Sequence, residues 1–266
     1  MKQFRTEKEV FLLSEKPALS ASALKYFAVL AMTIDHIAFV FVDSDTVLYF
    51  LMRTIGRTTA PIMAFFIAEG FHYTRNRRNY LVRTLLFALI SQLPFSMILL
   101  NRIPANLYEL FFCFNVMFTF SLSLIILMIL TSTRIQNVLK IILVSVCIVL
   151  SESCDWSYMI PAWVAGFYLF RTDRKKKTMI FIGISTILMT SKEMTVIETA
   201  VENPEYINIF SVIRQYASLL ALIPLSFYNG KRGSMNNKYV KLIDKWFFYT
   251  YYPLHLAVIA LLHMNI

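Results

Sequence analysis

Asp35 and His36 stand side by side within one apolar run, and Arg53 and Arg57 lie one helical turn apart in the next. Glu69, Asn115, Arg214 and His255 interrupt other apolar stretches. An imidazole exchanges protons near neutral pH, and guanidiniums hold or stabilise negative charge, so this set suits an acid–base site with an anion clamp. Arg53 and Arg57, spaced i, i+4, share a helix face. Asp35 and His36, as neighbours, point about 100° apart on theirs. Asp35 is therefore better placed to pair with an arginine of another helix than to orient His36. Each residue also has a structural reading: a buried ion pair kept for packing specificity for Asp35 with Arg53 or Arg57, and a helix-to-helix hydrogen bond for His36, His255 and above all Asn115. For Glu69, near Arg75, Arg77 and Arg78, that reading is an interfacial salt bridge.

The elements that must position these groups are dictated by composition. Of 266 residues, 58% are hydrophobic and only 16% charged, with a mean hydropathy of +0.59. Soluble domains carry about 25% charge, so this much apolar surface needs lipid as its solvent. Apolar runs place helices near 24–42, 47–71, 80–100, 108–130, 135–150, 156–170, 178–190, 207–228 and 246–264. The fold class expected is all-α: a polytopic membrane bundle of about nine transmembrane helices, with 1–23 as a cytoplasmic N-terminal segment and 24–266 as one transmembrane domain. The run at 178–190 is the weakest of the nine.

Loop charge sets the orientation. With the N-terminus cytoplasmic, the inner segments hold 21 of the 26 Lys and Arg and the outer loops only Arg102 and Lys192, an asymmetry that supports an odd number of spans. The same pattern explains the net charge of +10 without nucleic acid. Three basic residues, Arg53, Arg57 and Arg214, remain inside spans, where a charge costs at least about 2.5–3.5 kcal/mol and is a functional candidate by default. At 1.5 Å rise per residue, His36, Arg53, Asn115 and Arg214 come out about 9–10 Å below the outer ends of their helices, in one layer. The inner stretches 72–83 and 229–245 are dense in Lys and Arg. Attraction to anionic lipid explains them, and a phosphate-binding platform competes with that reading. Gly230–Gly233 is a tight basic turn without the spacing of a nucleotide P-loop. Cys113, Cys147 and Cys154 lack metal-ligand spacing, so no metal is expected.

Several segments resemble the TraX family of membrane proteins: LKYFAVLAMTIDHI at 24–37, RTIGRTTAPIMAFFIAEGFHYTRNRRNYLVR at 53–83, FALISQLPF at 87–95, PLSFYNGKRG at 224–233 and FYTYYPLHL at 248–256. That family is known for N-terminal acetylation of conjugative pilin. A looser likeness is to integral membrane acyltransferases that use acyl-CoA, which show a basic residue and then a histidine eleven positions on, as Lys25 and His36 do here. The Phe65, Phe66, Gly70, Phe71 run followed by Arg75 and Arg78 is similar too. That superfamily usually has ten core helices, against nine read here.

The resemblance implies acetyl transfer from cytoplasmic acetyl-CoA, with no metal, to the N-terminal amine of a peptide or pilin-like acceptor in the bacterial cytoplasmic membrane. In that reading Lys25, Arg75, Arg77, Arg78, Arg83, Lys231 and Arg232 hold the CoA phosphates. The pantetheine arm spans the roughly 16 Å from Lys25 to His36. His36 is the general base or, in a variant, a transient acyl carrier. Asp35, Arg53 and Arg57 complete the catalytic set, and Asn115, Arg214 and His255 contact substrate. An O-acyltransferase acting on an extracytoplasmic saccharide or lipid is the nearest alternative. A transporter, which calls for repeats absent here, and a non-enzymatic scaffold are the other classes.

Overall fold

A computed structural model describes residues 19–202, 213, 214, 216–233 and 238–264. Most of the expected N-terminal segment, residues 1–18, and the start of the expected 207–228 span lie outside the described residues. Short polar residues punctuate the chain where helices begin: Ser20 caps α1 (Ala21–Phe41), Thr46 caps α2 (Val47–Gly56), and Asn76 caps α4 (Arg77–Leu100). Each side-chain oxygen accepts a hydrogen bond from a first-turn N–H that would otherwise go unpaired. Between them runs α3 (Thr59–Tyr73). Then come α5 (Leu107–Phe111), α6 (Val116–Thr131), α7 (Asn137–Ser151), α8 (Met159–Leu169) and α9 (Arg174–Glu202). A 3₁₀ turn (Ala217–Ala221), α10 (Leu222–Ser226) and α11 (Lys238–Met264) complete the order. Among the described residues the only β pairing is two isolated bridges, Leu19 with Tyr228 and Phe114 with Cys154.

The expected helix at 47–71 is broken. The chain ends α2 at Gly56 and starts α3 at Thr59, which puts Pro61 in the first turn of α3, where its missing N–H costs no helical hydrogen bond. The expected helix at 108–130 is broken as well, at Asn115, which caps α6 instead of lying inside a span. Conversely the short 178–190 run is part of a helix of 29 residues, α9.

Helix α3 is apolar on every side and is buried, with Ile62, Ala64, Phe65 and Phe71 among its enclosed side chains. It packs against α8, α1 and α6, while α11 lies across α4 and α1. The outer surface is apolar too: Leu30, Leu89, Ile141 and Leu254 are all more than half exposed. Burial inside and apolar side chains outside is what a lipid solvent demands. Among the described residues three helices are long and apolar enough to cross a membrane, Ala21–Phe41, Arg77–Leu100 and Trp246–Met264, and four shorter apolar helices accompany them.

Two ties fix the bundle around the region of interest. At the start of α1, Leu19 N–H donates to Phe227 O (2.8 Å), Ala21 N–H to Lys231 O (2.9 Å) and Ser22 N–H to Arg232 O (3.1 Å). The Tyr228–Gly233 turn can approach so closely because Gly230 and Gly233 take φ of +75° and +138°. At the other end, Asn115 Nδ2 donates to Ala88 O (2.8 Å) and Gln92 Oε1 (2.8 Å), and its Oδ1 accepts from Met117 N–H (3.0 Å). Gln92 in turn donates to the Leu110 and Cys113 carbonyls at 2.7 and 2.9 Å. Asn115→Ala removes a cap and strands buried partners, which should cost about 2 kcal/mol. A lowered thermal midpoint is the expected result, and a variant as stable as the wild type would show that Asn115 does not hold α6 to α4.

Candidate functional site

Packing Gly56 onto α1 creates the site. A Cβ on Gly56 would lie 2.1 Å from Asp35 Oδ1, so only glycine lets α2 approach this closely. The approach lets Arg53 Nη1 donate to Asp35 Oδ2 at 2.6 Å, the pairing the neighbour geometry of Asp35 and His36 predicted. Arg53 also lies over the Phe39 and Tyr49 rings, and Arg57 sits 5.0 Å from the centre of Trp156. His36 faces the same space as Asp35, Arg53 and Arg57: all four line an upper cavity of about 280 Å³. Its Nδ1 is 3.0 Å from His255 Nε2 on α11.

Within this cavity region Asp35 Oδ1, Arg53 Nε and Arg57 Nε are buried without a hydrogen-bond partner among the described residues. Charged groups left so are costly unless something pairs with them. Asp155 and Trp156, which no motif marks, complete the wall. Asp155 reads from sequence as an acid of an outer loop. The loop is instead drawn inward by Asp155 N–H donating to Phe114 O (2.7 Å) and by Thr119 Oγ1 donating to Asp155 O (2.7 Å). The next two residues, Trp156 and Ser157, take positive φ (61° and 48°), strain that residue types alone do not announce. Enclosure by protein pushes the Asp155 carboxyl up to about 6 against the pull of Arg57.

A second, lower cavity of about 590 Å³ lies toward the start of α1. Lys25, Arg83 and Arg232 line it, with the acids Glu69 and Asp244 among its other polar groups. Lys25 Nζ rests over the Phe66 and Phe248 rings at 5.2 and 5.5 Å. Ser22 Oγ bridges Asp244 Oδ2 (2.8 Å) and Arg232 O (3.0 Å), which ties α11 to the basic turn at the cavity rim. Burial pushes the Tyr228 phenol up to about 12, so it stays protonated there. Met63, Met117, Phe120 and Phe248 line both cavities. One thin apolar partition therefore separates them.

Not every expected residue is gathered in. Arg77 turns away to Thr131 Oγ1 (3.3 Å) and the Phe71 ring, and Arg75, Arg78 and Lys231 do not line the lower cavity. Asn115 is committed to its cap, and Arg214 does not line the upper cavity but shares the Tyr49 ring with Arg53, 5.5 Å from its centre. His255 does not line the upper cavity and meets it through His36 and Tyr252. No group of His, Cys, Asp and Glu able to hold a metal occurs among the described residues.

Comparison with known proteins gives two matches. Residues 20–263 match the family described as TraX protein. The chain is also similar to the probable fimbrial assembly protein FimC, serogroup H1, of Dichelobacter nodosus, at 30% identity over 254 residues, 93% of this chain and 97% of that relative. No solved structure matches.

Proposed function

We propose, from the premise that this chain belongs to the TraX family, that it is a membrane-embedded acetyltransferase carrying acetyl from acetyl-CoA to the N-terminal amine of a peptide or pilin-like acceptor. The observation that carries this reading is the pair of cavities stacked along α1, basic below and acid–base above, with a shared apolar wall. Membership of a family with a fimbrial assembly relative supports a pilin-related acceptor.

The basic lower cavity suits phosphate oxygens, which Arg83 and Arg232 can meet as forks and Lys25 as a point charge. Acetyl-CoA, bound there, supplies an activated thioester at the end of a long arm. The partition of Met63, Met117, Phe120 and Phe248 is made of unbranched or planar side chains, which give way to a thin chain while keeping water out. In the upper cavity His36 takes the proton that the attacking amine sheds as its nitrogen bonds to the acetyl carbon, and it passes that proton to the sulfur as the C–S bond breaks and CoA leaves as the thiol. Arg53 and Arg57, which line the same cavity, supply positive charge for the oxygen of the acetyl carbonyl as negative charge develops on it. Asp35 neutralises Arg53 and holds it in place.

The test is incubation of the purified, membrane-reconstituted protein with labelled acetyl-CoA and peptides bearing free N-termini, followed by mass mapping. Label on the N-terminal amine is expected. Label only on saccharide or lipid hydroxyls moves the reading to O-acylation, and no label on any acceptor removes it. Met63→Trp, which thickens the partition, should lower transfer by up to about 100-fold by misplacing the thioester, while 3′-phosphoadenosine diphosphate still competes at the lower cavity. Unchanged transfer would show that the two cavities do not serve one reaction.

A further inference from the structure

We propose that His255 is a positioning residue that fixes which nitrogen of His36 is free to accept a proton. The inference deepens the reading of His36 as base and rests on it. The two rings meet through His36 Nδ1 and His255 Nε2 at 3.0 Å, so one of those nitrogens carries the hydrogen and the other a lone pair. The far side of His255 decides between them. Its Nδ1 lies 3.0 Å from the Tyr251 carbonyl oxygen, which can only accept. The hydrogen of a neutral His255 therefore sits on Nδ1, its Nε2 is bare, and His36 donates from Nδ1. That leaves Nε2 of His36 as the lone pair. A doubly protonated His255 would reverse the order, but it would add another cation to a region already holding Arg53 and Arg57, at a steep desolvation cost.

The support under His255 is itself determinate. Thr33 Oγ1 donates to Val29 O at 2.9 Å, so the 2.7 Å contact between Tyr251 Oη and Thr33 Oγ1 is donated by the tyrosine. Tyr251 is thereby pinned to α1, its ring stacks on the imidazole of His255 at 5.2 Å and 11°, and its carbonyl is held in register. A hydrogen bond to one ring nitrogen sets the tautomer and so the role of the other. When His36 takes a proton on Nε2, the bare Nε2 of His255 stabilises the cation with no net charge of its own.

Nitrogen NMR of ¹⁵N-histidine-labelled protein reads this without reference to turnover, and with four histidines each signal is assigned by one substitution. The expected wild-type spectrum has His36 protonated on Nδ1 and bare on Nε2. His255→Ala should lose that single tautomer and lower kcat about 10- to 100-fold, the cost typical of losing such a support, with KM for acetyl-CoA unchanged. His255→Gln, whose amide oxygen can accept from His36 Nδ1, should recover most of both. A wild-type His36 bare on Nδ1, or His255→Ala with wild-type kcat, overturns the proposal. If His255→Ala does not fold, the wild-type spectrum and the Gln variant decide. Activity surviving His36→Gln would instead sink the base reading while leaving the measured tautomer intact.

Discussion

His36→Gln should lower acetyl transfer by about 10²–10⁴-fold, the range a positioned general base contributes. The substitution keeps a polar side chain of similar length against His255, so α1 and α11 should stay in register and the protein should still accumulate in the membrane. The loss should appear in kcat, because neither the lower cavity nor the Arg53–Asp35 pair touches the changed group. Single-turnover transfer to a peptide amine measures it. Transfer at near the wild-type rate would remove His36 from the chemistry and turn attention to the other titratable groups lining the cavity, Asp155 and Asp35 first among them.

Arg53→Met should destabilise the fold by about 3–5 kcal/mol. Asp35 is only 17% exposed, and removing its partner leaves a carboxylate enclosed beside one unmet oxygen. The companion double variant Asp35→Leu with Arg53→Met should recover most of that stability, since apolar pairs of similar volume commonly replace buried ion pairs without loss. It should nevertheless be inactive. Denaturant unfolding in detergent, alongside transfer assays, separates the two effects. A double variant with wild-type activity would make the pair purely architectural, and a single variant with wild-type stability would mean that Asp35 is not held by Arg53 at all.

Much of this site is legible in the residues. Ionisable groups in apolar runs mark themselves by their cost, and helical rise alone puts His36 and Arg53 in one layer. The angle between neighbours on a helix anticipates that Asp35 reaches an arginine. Three things are not legible for physical reasons. A carboxylate in a loop, such as Asp155, is free to sit in water, and only the tertiary hydrogen bonds to Phe114 and Thr119 draw it in. Gly56 reads as a weak point in a helix, and its use appears only against Asp35. The breaks at Gly56–Thr59 and at Asn115 are hidden because an apolar run carries the same signal whether or not its backbone is continuous. Hydropathy also overstates spans. Helix α8, with 11 residues, is about 16 Å long and shorter than the roughly 30 Å hydrocarbon layer.

The contact between His36 and His255 joins residues 219 positions apart. During synthesis the first helix enters the lipid long before the last is made. The imidazole destined to act as base then waits without the neighbour that sets its proton, and the turn that clamps the start of α1 is also still to come. On the proposed reading, a nascent chain that already carries Asp35, His36, Arg53 and Arg57 still lacks His255, so its rate of acetyl transfer should be lowered at least as far as by His255→Ala.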